Sequence, residues 1–70
     1  MKLTWQDPRA IGELLYEEHE DVDPLSISFV KLHEWITELP GFDDDPKASS
    51  EKGLEGIQMV WYEEWKIDNE

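Results

Sequence analysis

The chain has 70 residues and no cysteine, and its 18 acidic side chains outnumber the basic ones by three to one, for a formal charge of −12. Lacking cysteine, it has no disulfides, thiolate metal centres or thiol nucleophiles. The charge repels nucleic-acid backbones and anionic lipid and attracts basic protein patches and hard cations.

In chain order, Lys2-Leu3-Thr4-Trp5 reads as a short strand, and Asp7-Pro8 then opens a helix, with Asp7 as N-cap and Pro8 at the first helical position. Ile11, Leu14 and Leu15 give that helix an apolar stripe to about His19, while Glu13, Tyr16, Glu17 and Glu20 recur on the opposite, solvent-facing side. Asp21-Val22-Asp23-Pro24 is a turn, and Leu25-Ser26-Ile27-Ser28-Phe29 alternates as a strand that would pair with Lys2–Trp5. A second helix is predicted over Val30–Leu39, with Leu32, Trp35, Ile36 and Leu39 inward and Pro40-Gly41 ending it. Phe42 anchors a loop carrying Asp43-Asp44-Asp45-Pro46, the densest charge run. Ser49 or Ser50 caps a last helix that buries Leu54, Ile57, Trp61 and Trp65 and ends near Trp65. Gly53 and Gly56 each weaken this helix by about 1 kcal/mol relative to alanine, which reads as close approach of a neighbouring element or as simple tolerance, ahead of a functional hinge.

These elements predict a mainly α fold: one domain over residues 1–66, three helices with a short two-stranded ribbon, winged-helix-like in the order β-α-β-α-α, and a frayed tail over 67–70. A domain this small buries only about 60–65% of its unfolded surface, so Trp5, Trp35, Phe42 and Trp61 are expected to carry much of the core, with Asp7 and Asp45 as structural acceptors. Winged helices often bind DNA, but the second helix offers Glu34 and Glu38 against a single Lys31, the wrong sign for a groove. The opening MKLTWQDP has no apolar signal region and no apolar run reaches the roughly 18–20 residues of a membrane span. A soluble monomer in a reducing cytoplasm is therefore expected.

Two acidic constellations could carry function. Glu13 and Glu17, and again Glu17 and Asp21, are one helical turn apart, so each pair can present two carboxylates to one cation. No calcium loop or facial triad is legible, so a metal held there would be open, hydrated and weakly bound; the same stripe also reads as a solvated face. In the loop, three adjacent aspartates repel one another until a counter-charge arrives. Asp43 and Asp44 are the candidates to face a partner, while Asp45 before Pro46 reads as the cap of a short helical turn. His33 reads as a half-buried histidine of the second helix, and His19, beside the acidic stripe, is the better of the two as a metal ligand or else a surface histidine. On the last helix, Glu55, Met59, Tyr62 and Glu63 share the outward side, as a contact patch or as scattered surface residues. No nucleophile–base pair or phosphate loop is present, and a chain this short leaves little room for a substrate cleft, so catalysis is not expected.

The runs LTWQDPRAIGELLYEEHEDVDP, FVKLHEWITELPGFDDDPKASSEK and LEGIQMVWYEEW resemble IscX, the small acidic protein of bacterial iron–sulfur cluster assembly, over about Leu3 to Glu64. The most specific pieces are Trp5 with Asp7, Ile11-Gly12-Glu13, Asp23-Pro24, His33 with Trp35-Ile36, and Phe42-Asp43-Asp44-Asp45-Pro46 followed by Ala48-Ser49. Gly53, Gly56, Val30 and the tail from Lys66 depart from the family pattern. The resemblance implies a winged-helix-like domain that binds the cysteine desulfurase IscS and Fe²⁺, as a regulator or adaptor of sulfur delivery and not a catalyst. It also implies competition at that surface with a frataxin homologue and ferredoxin. The expected docking residues are Glu13, Tyr16, Glu17, Glu20, Asp21, Asp43 and Asp44, and the expected weak Fe²⁺ ligands are Glu13, Glu17, His19, Glu20 and Asp21. The rival readings are an iron donor to the cluster scaffold and an acidic mimic that competes with nucleic acid.

Overall fold

The computed structural model describes residues 2–69. Its helices are α1 (Pro8–Glu18), α2 (Phe29–Thr37) and α3 (Glu51–Asp68), with 3₁₀ turns at Pro24–Ser26 and Pro46–Ala48. The apolar stripes converge as their spacing dictates: Ile11 and Leu15 of α1, Leu32 and Ile36 of α2, and Leu54, Ile57 and Trp61 of α3 are buried together with Leu3 and Leu39. No polar or charged side chain is buried among the described residues, so this core is stabilised by apolar burial and packing. Trp61 is the largest fully buried side chain, and its indole N–H has no hydrogen-bond partner. Trp5, Trp35 and Phe42 are half-buried against the same cluster. Trp65, expected in the core, is half-buried and stacks on Tyr62 at a centroid distance of 6.1 Å.

The crossing of α1 over α3 needs a glycine. A Cβ on Gly12 would lie 2.6 Å from Val60 Cγ1, 2.7 Å from Val60 Cβ and 3.1 Å from the Trp61 backbone nitrogen. The two glycines that stand out in the sequence behave differently. A Cβ on Gly56 would meet nothing within 4 Å, and one on Gly53 would meet only the Ser50 Oγ at 3.1 Å, so neither admits a neighbouring helix. Ser50, not Ser49, caps α3 by accepting the Gly53 N–H.

Among the described residues the two-stranded ribbon, and with it the winged-helix architecture, is not present. Leu3 instead makes an isolated parallel bridge with Phe42: its N–H donates to Gly41 O and its carbonyl accepts from Asp43 N, both at 2.8 Å. Gly41, at φ 84°, turns the chain into this bridge as only glycine does readily. The Leu25–Phe29 alternation misleads because stronger local signals surround it. Asp23 accepts the Leu25 N–H and Ser26 N donates back to Asp23 O, which winds Pro24–Ser26 into a 3₁₀ turn. Ser28 accepts from Lys31 N and starts α2 one residue before the predicted Val30. Asp7 also differs from expectation. It stands at the N-cap of α1 without capping it, and its carboxylate takes the Thr4 N–H and hydroxyl instead, closing the turn before the helix. At the other end, α3 continues to Asp68, past the expected stop near Trp65, and Asn69 follows as its C-cap.

Replacing Gly56 with alanine should stabilise the chain by about 0.5–1 kcal/mol, because the position is helical and unobstructed. Gly12→Ala should cost about 1–3 kcal/mol despite the better helix former, since the crossing must open. Urea denaturation of the two variants tests this opposition. In the same assay Trp61→Ala should cost about 3–5 kcal/mol, and Trp61→Phe clearly less, as the indole N–H makes no bond to lose.

Candidate functional site

The acidic face is built on α1 and the turn after it. Glu13, Glu17, Glu18, Glu20 and Asp21 are all exposed. Glu13 and Glu17 keep their one-turn spacing on the helix. Glu17 and Asp21 do not, because α1 stops at Glu18 with His19 N donating to Leu15 O, and Glu20 and Asp21 lie in the following turn. Opposite charge nearby is scarce: the described residues contain one ion pair, Lys2 Nζ to Asp43 Oδ2 at 3.7 Å, with both side chains well exposed. Such a pair contributes little to stability. The α1 carboxylates are therefore left to solvent.

Tyr16 does not join that solvent face as its position in the stripe predicts. It is half-buried against the core, and its hydroxyl donates to Asp68 Oδ2, clasping α1 to the last turn of α3. This hydrogen bond, followed by desolvation and the negative charges of Asp68, Glu20 and Glu64, pushes its pKa up to about 12. His19 is likewise engaged. Its ring stacks on Trp35 at a centroid distance of 3.8 Å and 7° between planes, and Trp61 lies behind at 6.3 Å. Lys31 Nζ stands 5.9 Å from the Trp35 ring.

The Asp43–Asp45 loop sorts its three carboxylates. Asp43 is exposed and pairs only with Lys2. Asp44 is half-buried and accepts two backbone N–H groups, from Trp5 to Oδ2 at 3.0 Å and from Asp45 to Oδ1 at 2.7 Å. These bonds, helped by the charge of Lys2, hold its carboxyl below the usual 3.8. Asp45 accepts the Lys47 N–H and caps the Pro46–Ala48 turn. Two ring nitrogens secure the segment from outside: Trp5 Nε1–H donates to Asp45 O at 2.7 Å and His33 Nε2–H donates to Pro46 O at 2.6 Å. The Trp5 and His33 rings stack at 5.6 Å, and Phe42 meets Trp5 edge-on at 5.0 Å. Neither bond is legible in sequence, because the partners are far apart along the chain and the acceptors are backbone carbonyls.

Among the described residues no three histidine, aspartate or glutamate side chains gather into a group able to hold a metal ion. Glu13, Glu17, His19, Glu20 and Asp21 thus do not form a built iron centre, and the His19 ring is already committed to Trp35. The described surface also has no pocket, and no helix is long and apolar enough to cross a membrane.

Comparison with known proteins places this small, acidic, three-helix chain. A family model described as iron-sulphur cluster assembly matches residues 3–66. Over 64 residues the sequence is 48% identical to the uncharacterized protein PA3808 of Pseudomonas aeruginosa, covering 91% of this chain and 97% of that protein. The chain belongs to the IscX family of iron–sulfur cluster assembly proteins.

The Asp44 geometry has a pH consequence. Its folded pKa lies below the unfolded one, so its contribution to stability is complete above the unfolded value of about 3.8 and is lost as pH falls through the folded value. Stability followed by tryptophan emission should therefore drop in the acid limb below pH 3.8. Asp44→Asn should be less stable at neutral pH and show a shallower acid limb.

Proposed function

We propose that the chain is a non-enzymatic adaptor of cluster assembly in the cytoplasm, which docks its acidic α1 face on a basic patch of the cysteine desulfurase IscS. The observation that carries this reading is the row of exposed carboxylates Glu13, Glu17, Glu20 and Asp21, which have no basic partner within the described molecule and so keep their full attraction for an external one. Asp43 adds a further exposed charge, and Asp44 supports it from within the loop. Family membership gives the process, and the sign of the surface supports a basic protein patch as the partner.

Long-range attraction between such faces speeds encounter and makes affinity fall steeply with ionic strength. A desulfurase patch occupied in this way is closed to other acidic proteins, which is how the adaptor would compete with a frataxin homologue and ferredoxin. Fe²⁺ enters only as a loosely held, largely hydrated counter-ion on carboxylate pairs such as Glu13 and Glu17, since no three-ligand set is built.

The test is a ¹⁵N NMR titration with IscS at low and at high salt. Chemical-shift changes should concentrate on α1, the Glu20–Asp21 turn and Asp43, and should vanish at high salt. The double variant Glu13→Lys with Glu17→Lys should stay folded, because both positions are exposed, yet lose most of its affinity. Normal binding by that variant would remove α1 from the interface.

A further inference from the structure

We propose that Trp5 and His33 are positioning residues for docking: they hold the Asp43–Pro46 segment in a fixed shape, so that Asp43 meets the partner already ordered. The inference rests on the docking reading above and specifies how one part of that surface is prepared. Its warrant is the pair of side-chain donors that reach the segment from elsewhere in the fold. Trp5 Nε1–H binds Asp45 O at 2.7 Å and His33 Nε2–H binds Pro46 O at 2.6 Å, so successive carbonyls are tied to two different elements. The rings that carry these donors are stacked on each other, and Trp5 also packs on Phe42, which fixes where the donors can point. From the same residue, the Trp5 backbone N–H holds Asp44 Oδ2, and this turns Asp44 away from an interface role towards an internal one.

His33 is no part of the hydrophobic core, while the half-buried Trp5 ring packs on its edge; the Nε1–H of Trp5 is separate from that packing and is spent on the segment. What the two bonds determine is the backbone path between the Leu3–Phe42 bridge and the Pro46–Ala48 turn. The Leu3 bridge holds Asp43 N–H and the Asp44 and Asp45 carboxylates hold nearby N–H groups, so the ring donors complete the set; without them the carbonyl side of the segment would have to be ordered at the moment of binding. Fixing it beforehand moves that entropic cost into folding.

A preorganising role differs from a charge contact in what it does to salt dependence. His33→Ala and Trp5→Phe delete a donor without changing any carboxylate, so the slope of log Kd against log salt should stay that of the wild type while affinity for IscS falls roughly three- to tenfold. Asp43→Asn should instead lower the slope. Amide exchange at Asp45, Lys47 and Ala48 should quicken in both donor variants while the core amides remain protected. His33→Gln, whose amide can offer an N–H to Pro46 O, should recover part of the affinity.

If the donor variants loosen the segment and still bind IscS as tightly as wild type, the positioning role is wrong and the docking reading survives on α1. A changed salt slope in His33→Ala would also overturn it, since the residue would then be acting through charge. Absence of any salt-dependent binding by the wild-type chain would instead bring down the docking reading itself, and this inference with it.

Discussion

Where α1 crosses α3, Gly12 lies against Val60 and the Trp61 backbone with no room for a methyl group, and that approach sets the geometry of the rest. It packs α1 on α3, so that Ile11, Leu15, Ile57 and Trp61 are buried in one cluster to which α2 adds Leu32 and Ile36. It also turns the α1 glutamates outward and carries Tyr16 to the far end of α3, where Asp68 receives its hydroxyl. The acidic face and the core are thus two sides of one helix whose rotation is fixed at a single close contact.

Charge is divided by side-chain length. Asp7, Asp23, Asp44, Asp45 and Asp68 each accept a hydrogen bond within the fold, four of them from backbone N–H groups close to a turn or bridge. No glutamate side chain accepts one among the described residues. The short aspartate reaches nearby backbone donors, whereas glutamate extends its charge into water. An acidic protein built this way can spend its aspartates on architecture and keep its glutamates for recognition. Asp43 and Asp21, which accept no such bond, are the aspartates that side with the glutamates within the proposed docking surface.

Helical spacing made the three helices and most of the core legible, because a stripe such as Leu54, Ile57 and Trp61 has few other ways to be buried. The strand expected at Leu25–Phe29 failed for a local reason: period-two alternation over five residues is weaker than an Asp-Pro turn on one side and a serine cap on the other. The exposed acids of α1 could be read directly, since an unopposed polar face needs no tertiary information. The engaged residues could not. Tyr16 sits where a helical wheel puts solvent and His19 where α1 is already ending, and only the reach of α3 and the position of Trp35 show what they touch. Gly12 was one letter of a family motif until Val60 stood beside it, while at Gly56 the open space decides for simple tolerance over close approach.

The stack of His19 on Trp35 also gives the molecule a native optical reporter. An imidazole face to face with an indole at 3.8 Å is a large part of that indole's surroundings, and His19 sits immediately beyond the end of α1. Glu20 and Asp21 follow His19 directly, so a displacement of that turn would alter the overlap of His19 with Trp35. The turn that carries Glu20 and Asp21 thus adjoins, through His19, a tryptophan on a different helix, and a change of its shape would be read in that indole's emission.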